Sequence, residues 1–150
     1  MQRLLQFAVL VLLLAAIAPA GEETASDLKA RADGAHDGEQ AKLCLEYARR
    51  QLEDANALFT DGQVDKAQAE IREVVEYARK GADAASSSGK HLKDSEIKLR
   101  KLQERLHDVG ESLAFEDRPP LRSAVEELEQ IRADLLVRMF GPAAEPKGKS

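Results

Sequence analysis

The 150-residue sequence has no tryptophan, one cysteine and few aromatic residues. The lone cysteine, Cys44, excludes an intramolecular disulfide and the Cys-x-x-Cys-His motif that attaches haem. Without disulfides, a small chain depends on its packed core for stability. Strand-like alternation of apolar and polar residues never extends beyond a few positions, which argues against a β-sheet protein.

The sequence also lacks an excess of basic residues. It has 22 Lys and Arg against 27 Asp and Glu, a formal net charge of −5. A net acidic chain has no general attraction for nucleic acids or anionic membranes, so we expect no nucleic-acid partner. Basic residues concentrate only between Lys90 and Arg105, where acidic residues interrupt them, and we expect that segment to pair with the acidic cluster Glu126, Glu127 and Glu129.

One long apolar run is present, and it lies at the beginning of the chain. Arg3 precedes the run Phe7–Ile17, and Ala18-Pro19-Ala20 follows it before the sequence turns polar. This order is typical of a secretory signal peptide, and the run is shorter than the roughly 20 residues that span a bilayer. We predict cleavage after Ala20 and a periplasmic or secreted protein, which meets the membrane only through this segment before cleavage. An uncleaved N-terminal anchor is the alternative.

Four amphipathic helical segments follow, because strong helix formers dominate and apolar residues recur at helical spacing. The first runs over about 39–60 and ends at Asp61-Gly62; the second runs over about 64–85. The apolar seam of the second segment weakens at Gly81, so we expect that helix to fray there. The apolar seams of these two segments are Ala41, Leu45, Ala48, Leu52, Ala55 and Phe59, then Val64, Ala67, Ile71, Val74 and Ala78.

The third segment runs over about 90–113, after a serine-rich connection. The fourth begins at Pro119-Pro120, since proline is well tolerated in the first turn of a helix, and Gly141-Pro142 stop it. The apolar stripe of the third is Leu92, Leu99, Leu102, Leu106, Val109 and Leu113, and that of the fourth is Leu121, Val125, Leu128, Ile131, Leu135 and Met139.

Four such segments with short connections predict an all-α protein. We expect an antiparallel up-down-up-down four-helix bundle built from two helical hairpins. The bundle would occupy residues 38–141, preceded by a flexible leader over 21–37 and followed by a disordered tail over 142–150. The alternative is two hairpins that associate loosely or are completed by a second chain.

The nearest approach to a metal motif is one Glu-x-x-His, formed by Glu104 and His107. Di-iron bundle sites use two such motifs together with a Glu from each of two further helices. His107 also lies beside the apolar seam of its segment, and the other histidines, His36 and His91, are far from it in sequence. We therefore expect no metal site, no cofactor and no catalytic residues.

Cys44 lies beside the apolar seam of the first segment. We expect it to be buried as a small apolar side chain. The alternative in an exported protein is a disulfide between two chains.

The spacing of six residues, Ala55, Leu58, Gly62, Asp65, Ala67 and Val74, resembles that of a tetratricopeptide repeat hairpin. The resemblance covers residues 48–79, and Gln51 and Arg79 stand where that family has an aromatic residue and a proline. It implies a helical hairpin that binds a peptide. For an adaptor of this kind, we expect Tyr47 and Arg50 to be exposed.

These observations together favour a non-enzymatic exported helical-bundle protein with a structural or protein-interaction role in the cell envelope. Its partner would be another protein or a second copy of itself. The alternatives are a bundle that binds a small ligand or a metal near His107, and a peptide-binding adaptor that uses the tetratricopeptide-like hairpin.

Overall fold

The computed structural model describes residues 21–141, and the predicted signal segment and C-terminal tail lie outside that range. All regular secondary structure in this range is helical, which confirms the all-α prediction. A short 3-10 turn, Phe115–Asp117, precedes the last helix. The α-helices are α1 (Ala25–Gly34), α2 (Asp37–Thr60), α3 (Val64–Ser88), α4 (Leu92–Ser112) and α5 (Arg118–Phe140).

Local sequence signals set the ends of the four long helices, and the predicted ends agree with them to within a few residues. Gly62, between α2 and α3, has a φ of 75°, and Gly89, after α3, has a φ of 70°. Both angles lie in the left-handed region that glycine adopts without steric cost. Pro119 and Pro120 stand in the first turn of α5, where their missing N–H groups cost no hydrogen bond.

The described chain has five α-helices rather than the four expected. The additional helix, α1, forms within residues 21–37, where we expected a flexible leader. Thr24 caps it by accepting a hydrogen bond from the backbone N–H of Asp27 at 3.1 Å. Only Leu28 and Ala32 are buried on α1, and two apolar positions are too few to give a recognisable periodic pattern.

A single connected hydrophobic core contains residues from all five helices. α2 packs most extensively on α3, and α4 on α5, while contacts of α3 with α5 and of α2 with α4 join the two pairs. Position 81 of α3 lies against Ala41 of α2, and Glu70 accepts a hydrogen bond from Gln51. The beginning of α2 is therefore beside the end of α3, and the helices pack as a bundle.

Among residues 21–141, no helix is both long enough and apolar enough to cross a membrane.

Candidate functional site

The structure places Glu104 and His107 on the exposed side of α4, while Leu106 between them is buried in the core. His107 borders a shallow pocket of about 140 Å³, which Arg118 and Arg122 also line. Glu111 lines the same pocket and pairs with Arg118 at 3.6 Å. The guanidinium groups outnumber this carboxylate, so they disfavour the binding of a cation there. Residues 21–141 contain no group of three or more His, Cys, Asp or Glu side chains arranged to hold a metal ion.

The other two histidines lie at helix beginnings. His36 immediately precedes α2, and His91 immediately precedes α4 with a φ of 58°. Neither side chain caps its helix with a hydrogen bond. The ring of His91 lies against Gly38 of α2, and His107 stands on the exposed side of α4.

Cys44 is fully buried in the core, as its position beside the seam predicts. Burial raises the pKa of its thiol to about 11, since a thiolate there would lose its hydration. A buried neutral thiol is neither a ready nucleophile nor within reach of a second chain.

A polar cluster joins α1, α2 and α3, and its centre is a pair of tyrosines. The rings of Tyr47 and Tyr77 meet edge to face with their centroids 4.5 Å apart. Tyr47 donates its hydroxyl to Glu73, and Tyr77 donates to Asp33 at 2.8 Å. Burial, together with the carboxylate that each hydroxyl faces, raises the pKa of both tyrosines. Tyr47 is 3% exposed, so the expectation that it lies on the free surface of the hairpin is wrong.

Lysines and a glutamine complete the bonding of the two carboxylates. Lys29 of α1 lies 2.8 Å from Glu73, and Lys80 of α3 lies 2.7 Å from Asp33. The buried amide of Gln51 donates to Glu73 at 2.9 Å. Every buried side-chain nitrogen and oxygen of the described residues has a hydrogen-bond partner, so the cluster has no orphaned polar atom that points to an absent ligand.

Asp33 gives this cluster a predictable dependence on pH. The hydrogen bond from Lys80 holds the pKa of Asp33 below its ordinary value. A lowered folded-state pKa stabilises the protein above the unfolded-state pKa of about 3.9, and that stabilisation is lost as the pH falls through the folded-state value. We expect Asp33→Asn to be less stable than the wild type at neutral pH, with a smaller difference at pH 3. Urea unfolding followed by circular dichroism at both pH values measures this, and an equal difference at both would contradict it.

A cleft of about 960 Å³ lies between α3 and α5, and the junction of α1 and α2 closes one side of it. Apolar side chains form its floor, with Ile71 and Val75 from α3 and Ala124 from α5. Charged residues of both signs surround the floor. The cations are Arg72, Arg79 and Lys80, and the anions are Asp37, Glu76, Asp83 and Glu127.

The charged residues of the cleft are only partly engaged with one another. Arg79 of α3 reaches Glu127 of α5 at 3.5 Å, with both side chains about half exposed. Such exposed pairs contribute about 0 to 1 kcal/mol, and they reorganise easily when another charged group approaches. The cleft therefore presents adaptable charges above an apolar floor.

The ion pairs between helices differ from those expected for the basic segment. Glu96 of α4 pairs with Arg132 of α5 at 2.7 Å, so at this contact the acid is on α4 and the base on α5. Arg105 of α4 binds Glu53 of α2 instead. Glu127, which belongs to the acidic cluster predicted to pair with α4, pairs instead with Arg79 of α3.

The fold and the cleft define an all-helical bundle protein with an open groove of mixed charge. Comparison of the chain with protein-family models, with curated proteins and with solved structures finds no match.

Proposed function

We propose that this protein is a non-enzymatic, exported helical bundle of the cell envelope that acts by binding a partner protein. The observation that carries the proposal is the cleft between α3 and α5. It combines an apolar floor with a rim of three cations and four anions. Six of these residues are exposed, and the seventh, Lys80, is half-buried in its pair with Asp33. Protein-binding surfaces have this anatomy, with apolar contacts at the centre and adaptable polar groups around them.

The mixed charge of the rim favours a polypeptide as the occupant. A nucleic acid would require a predominance of cations, whereas the rim of the cleft has three cations and four anions. A polypeptide segment offers backbone groups, apolar side chains and charges of both signs together. The resemblance of α2–α3 to a peptide-binding hairpin supports the same class of partner, although this groove is formed by α3 with α5 and not within the α2–α3 hairpin.

We propose further that α2–α3 and α4–α5 are antiparallel hairpins that form a four-helix core, with α1 added along its side. The three-residue connection between α2 and α3 and the pairing of Gln51 with Glu70 support this arrangement for the first hairpin. Buried apolar residues of α2, α3, α4 and α5 belong to one core cluster, and this supports a closed bundle.

Export rests on the sequence of the first 20 residues. The apolar run and the Ala18-Pro19-Ala20 site support a cleaved signal peptide, and hence a periplasmic or secreted protein. A partner of the proposed kind would then be another envelope protein.

Site-specific photo-crosslinking in intact cells tests this function. A photoreactive amino acid is placed at Ser87 or Ser123, which are exposed residues that line the cleft, and at Gln130, an exposed residue of α5 outside it. We expect the exported chain to begin at Gly21 and to crosslink to one envelope protein from positions 87 and 123 only. Equal crosslinking from position 130 would contradict the proposal.

A binding measurement with the purified crosslinked partner provides the second step. Replacing both Arg72 and Arg79 with glutamate reverses two rim charges, and this should weaken binding roughly tenfold or more. The matched control is Arg100→Glu, an exposed arginine of α4 outside the cleft, which should bind as the wild type does. An unchanged dissociation constant in the double variant would exclude the cleft as the binding surface.

A further inference from the structure

The contacts that hold α1 against the rest of the bundle are mostly polar. Lys29 pairs with Glu73, and Asp33 accepts hydrogen bonds from Tyr77 and Lys80. Apolar burial on α1 is limited to two side chains. A helix of 10 residues is not stable alone in water, so α1 exists as a helix only while it is docked.

The surface that receives α1 selects its occupant by charge. This docking face consists of Glu73, Tyr77 and Lys80, which bond to α1, together with Tyr47 and Gln51, which hold the carboxylate of Glu73 in place. Glu73 of the docking face meets the cation Lys29 of α1, and Lys80 of the docking face meets the anion Asp33 of α1. This alternation fits α1 in one register, because a shifted or unrelated helix would leave like charges opposite one another.

The connection between α1 and α2 is short and has an unfavourable backbone conformation. α1 runs antiparallel to the first part of α2. The side chain of Gln40 donates a hydrogen bond to the carbonyl oxygen of Ala32, and the side chain of Arg50 donates one to the carbonyl oxygen of Glu23. Two residues separate the helices, and Asp37 at the start of α2 has a φ of 54°. A non-glycine residue with a φ in the left-handed region costs about 1 kcal/mol, and aspartate lies at the low end of that cost. A helical φ at Asp37 would remove it.

A short, strained connection beside a docked terminal helix favours exchange of that helix between two molecules. The docking contacts are the same whether α1 comes from its own chain or from another, so they do not oppose the exchange. Opening the connection lets α1 continue the axis of α2, and relief of the strain at Asp37 then favours the open form.

We infer that α1 exchanges between two copies of this chain, so that each copy's α1 docks on the docking face of the other and a dimer forms. The partner for this surface is thus a second copy of the chain. The inference goes beyond the proposed function, because it depends on α1 and its docking face and does not require a partner in the cleft.

A pair of charge-reversed variants distinguishes exchange from folding back. Lys29→Glu alone places two glutamates opposite each other, and Glu73→Lys alone places two lysines opposite each other. In a mixed exchanged dimer, both contacts again join opposite charges. The two full-length exported chains are unfolded together in urea, refolded and analysed by light scattering after size exclusion and by native mass spectrometry.

We expect the mixture to form a one-to-one heterodimer, with a dimer fraction roughly tenfold above that of either variant alone. The matched control is the double variant carrying Lys29→Glu and Glu73→Lys, which restores the ion pair within one chain and should behave as the wild type does. A mixture that stays monomeric while the double variant folds normally would overturn the inference.

Two variants of the connection give an independent measurement on a single chain. Deleting Ala35 and His36 prevents α1 from folding back, so the dimer should become the predominant species. Asp37→Gly relieves the strain without opening the connection and should lower the dimer fraction below that of the wild type. A monomeric deletion variant with a folded core would likewise overturn the inference, whatever the result of crosslinking from the cleft.

Discussion

Replacing Gly81 with valine is expected to lower the free energy of unfolding by about 1 to 3 kcal/mol. A Cβ atom at this position would lie 2.9 Å from Cγ of Leu45 and 3.2 Å from both the carbonyl oxygen of Ala41 and Cβ of Cys44. Two of these atoms belong to the backbone or lie next to it, so they cannot move without shifting α2. Valine would therefore separate α2 from α3 along the most extensive helix contact of the fold.

Gly34→Val is the matched control for this substitution. Gly34 is the last residue of α1, and a Cβ atom there would meet no other atom within 4 Å. We expect its effect to stay within about 0.5 kcal/mol, as for other surface substitutions. Urea unfolding followed by circular dichroism measures both variants, and equal effects would show that α2 and α3 do not approach closely at Gly81.

The prediction that the second helical segment frays at Gly81 is wrong. The missing side chain of Gly81 weakens the apolar seam, which predicts a frayed end for the helix. In the structure α3 continues to Ser88, and Gly81, Ala82 and Ala85 are buried. Small residues mark a close approach only when the partner helix is known, and periodicity within one segment carries no information about that partner.

The helix ends, in contrast, were predictable because their causes are local. Glycines with positive φ and prolines in a first turn act on their immediate neighbours in sequence. α1 was not predictable in the same way, because its stability comes from contacts with distant residues. Lys29 and Glu73, for example, are separated by 44 positions along the chain.

The predicted site is a local sequence motif, whereas the sites that the structure shows are assembled from residues far apart in the sequence. Glu104 and His107 form a motif within one turn of α4, and the fold leaves both exposed. The cleft brings together α3, α5 and the junction of α1 and α2, and no short motif marks it in the sequence. The burial of Tyr47 is likewise not predictable from its own helix, because it depends on α1 and α3, which bring Asp33 and Glu73 to the tyrosine pair.

Truncating Leu135 to alanine is expected to lower the free energy of unfolding by about 2 to 5 kcal/mol. Leu135 of α5 is 1% exposed and belongs to the core cluster that includes residues of all five helices. Removing its isobutyl group leaves a cavity that a close-packed interior fills only in part. The loss is a substantial fraction of the roughly 5 to 15 kcal/mol that stabilises a typical domain.

The neighbouring leucine provides the control, because Leu136→Ala makes the same chemical change at a partly exposed position of the same helix. Its effect should be clearly smaller, since less apolar surface returns to water. The shape of the unfolding transition also tests whether the two helix pairs unfold together. Because one core joins α2–α3 to α4–α5, Leu135→Ala should shift a single cooperative unfolding transition. If half of the helical signal instead kept the wild-type midpoint, the two helix pairs would be independent units, and a cleft between α3 and α5 would not persist as one binding surface.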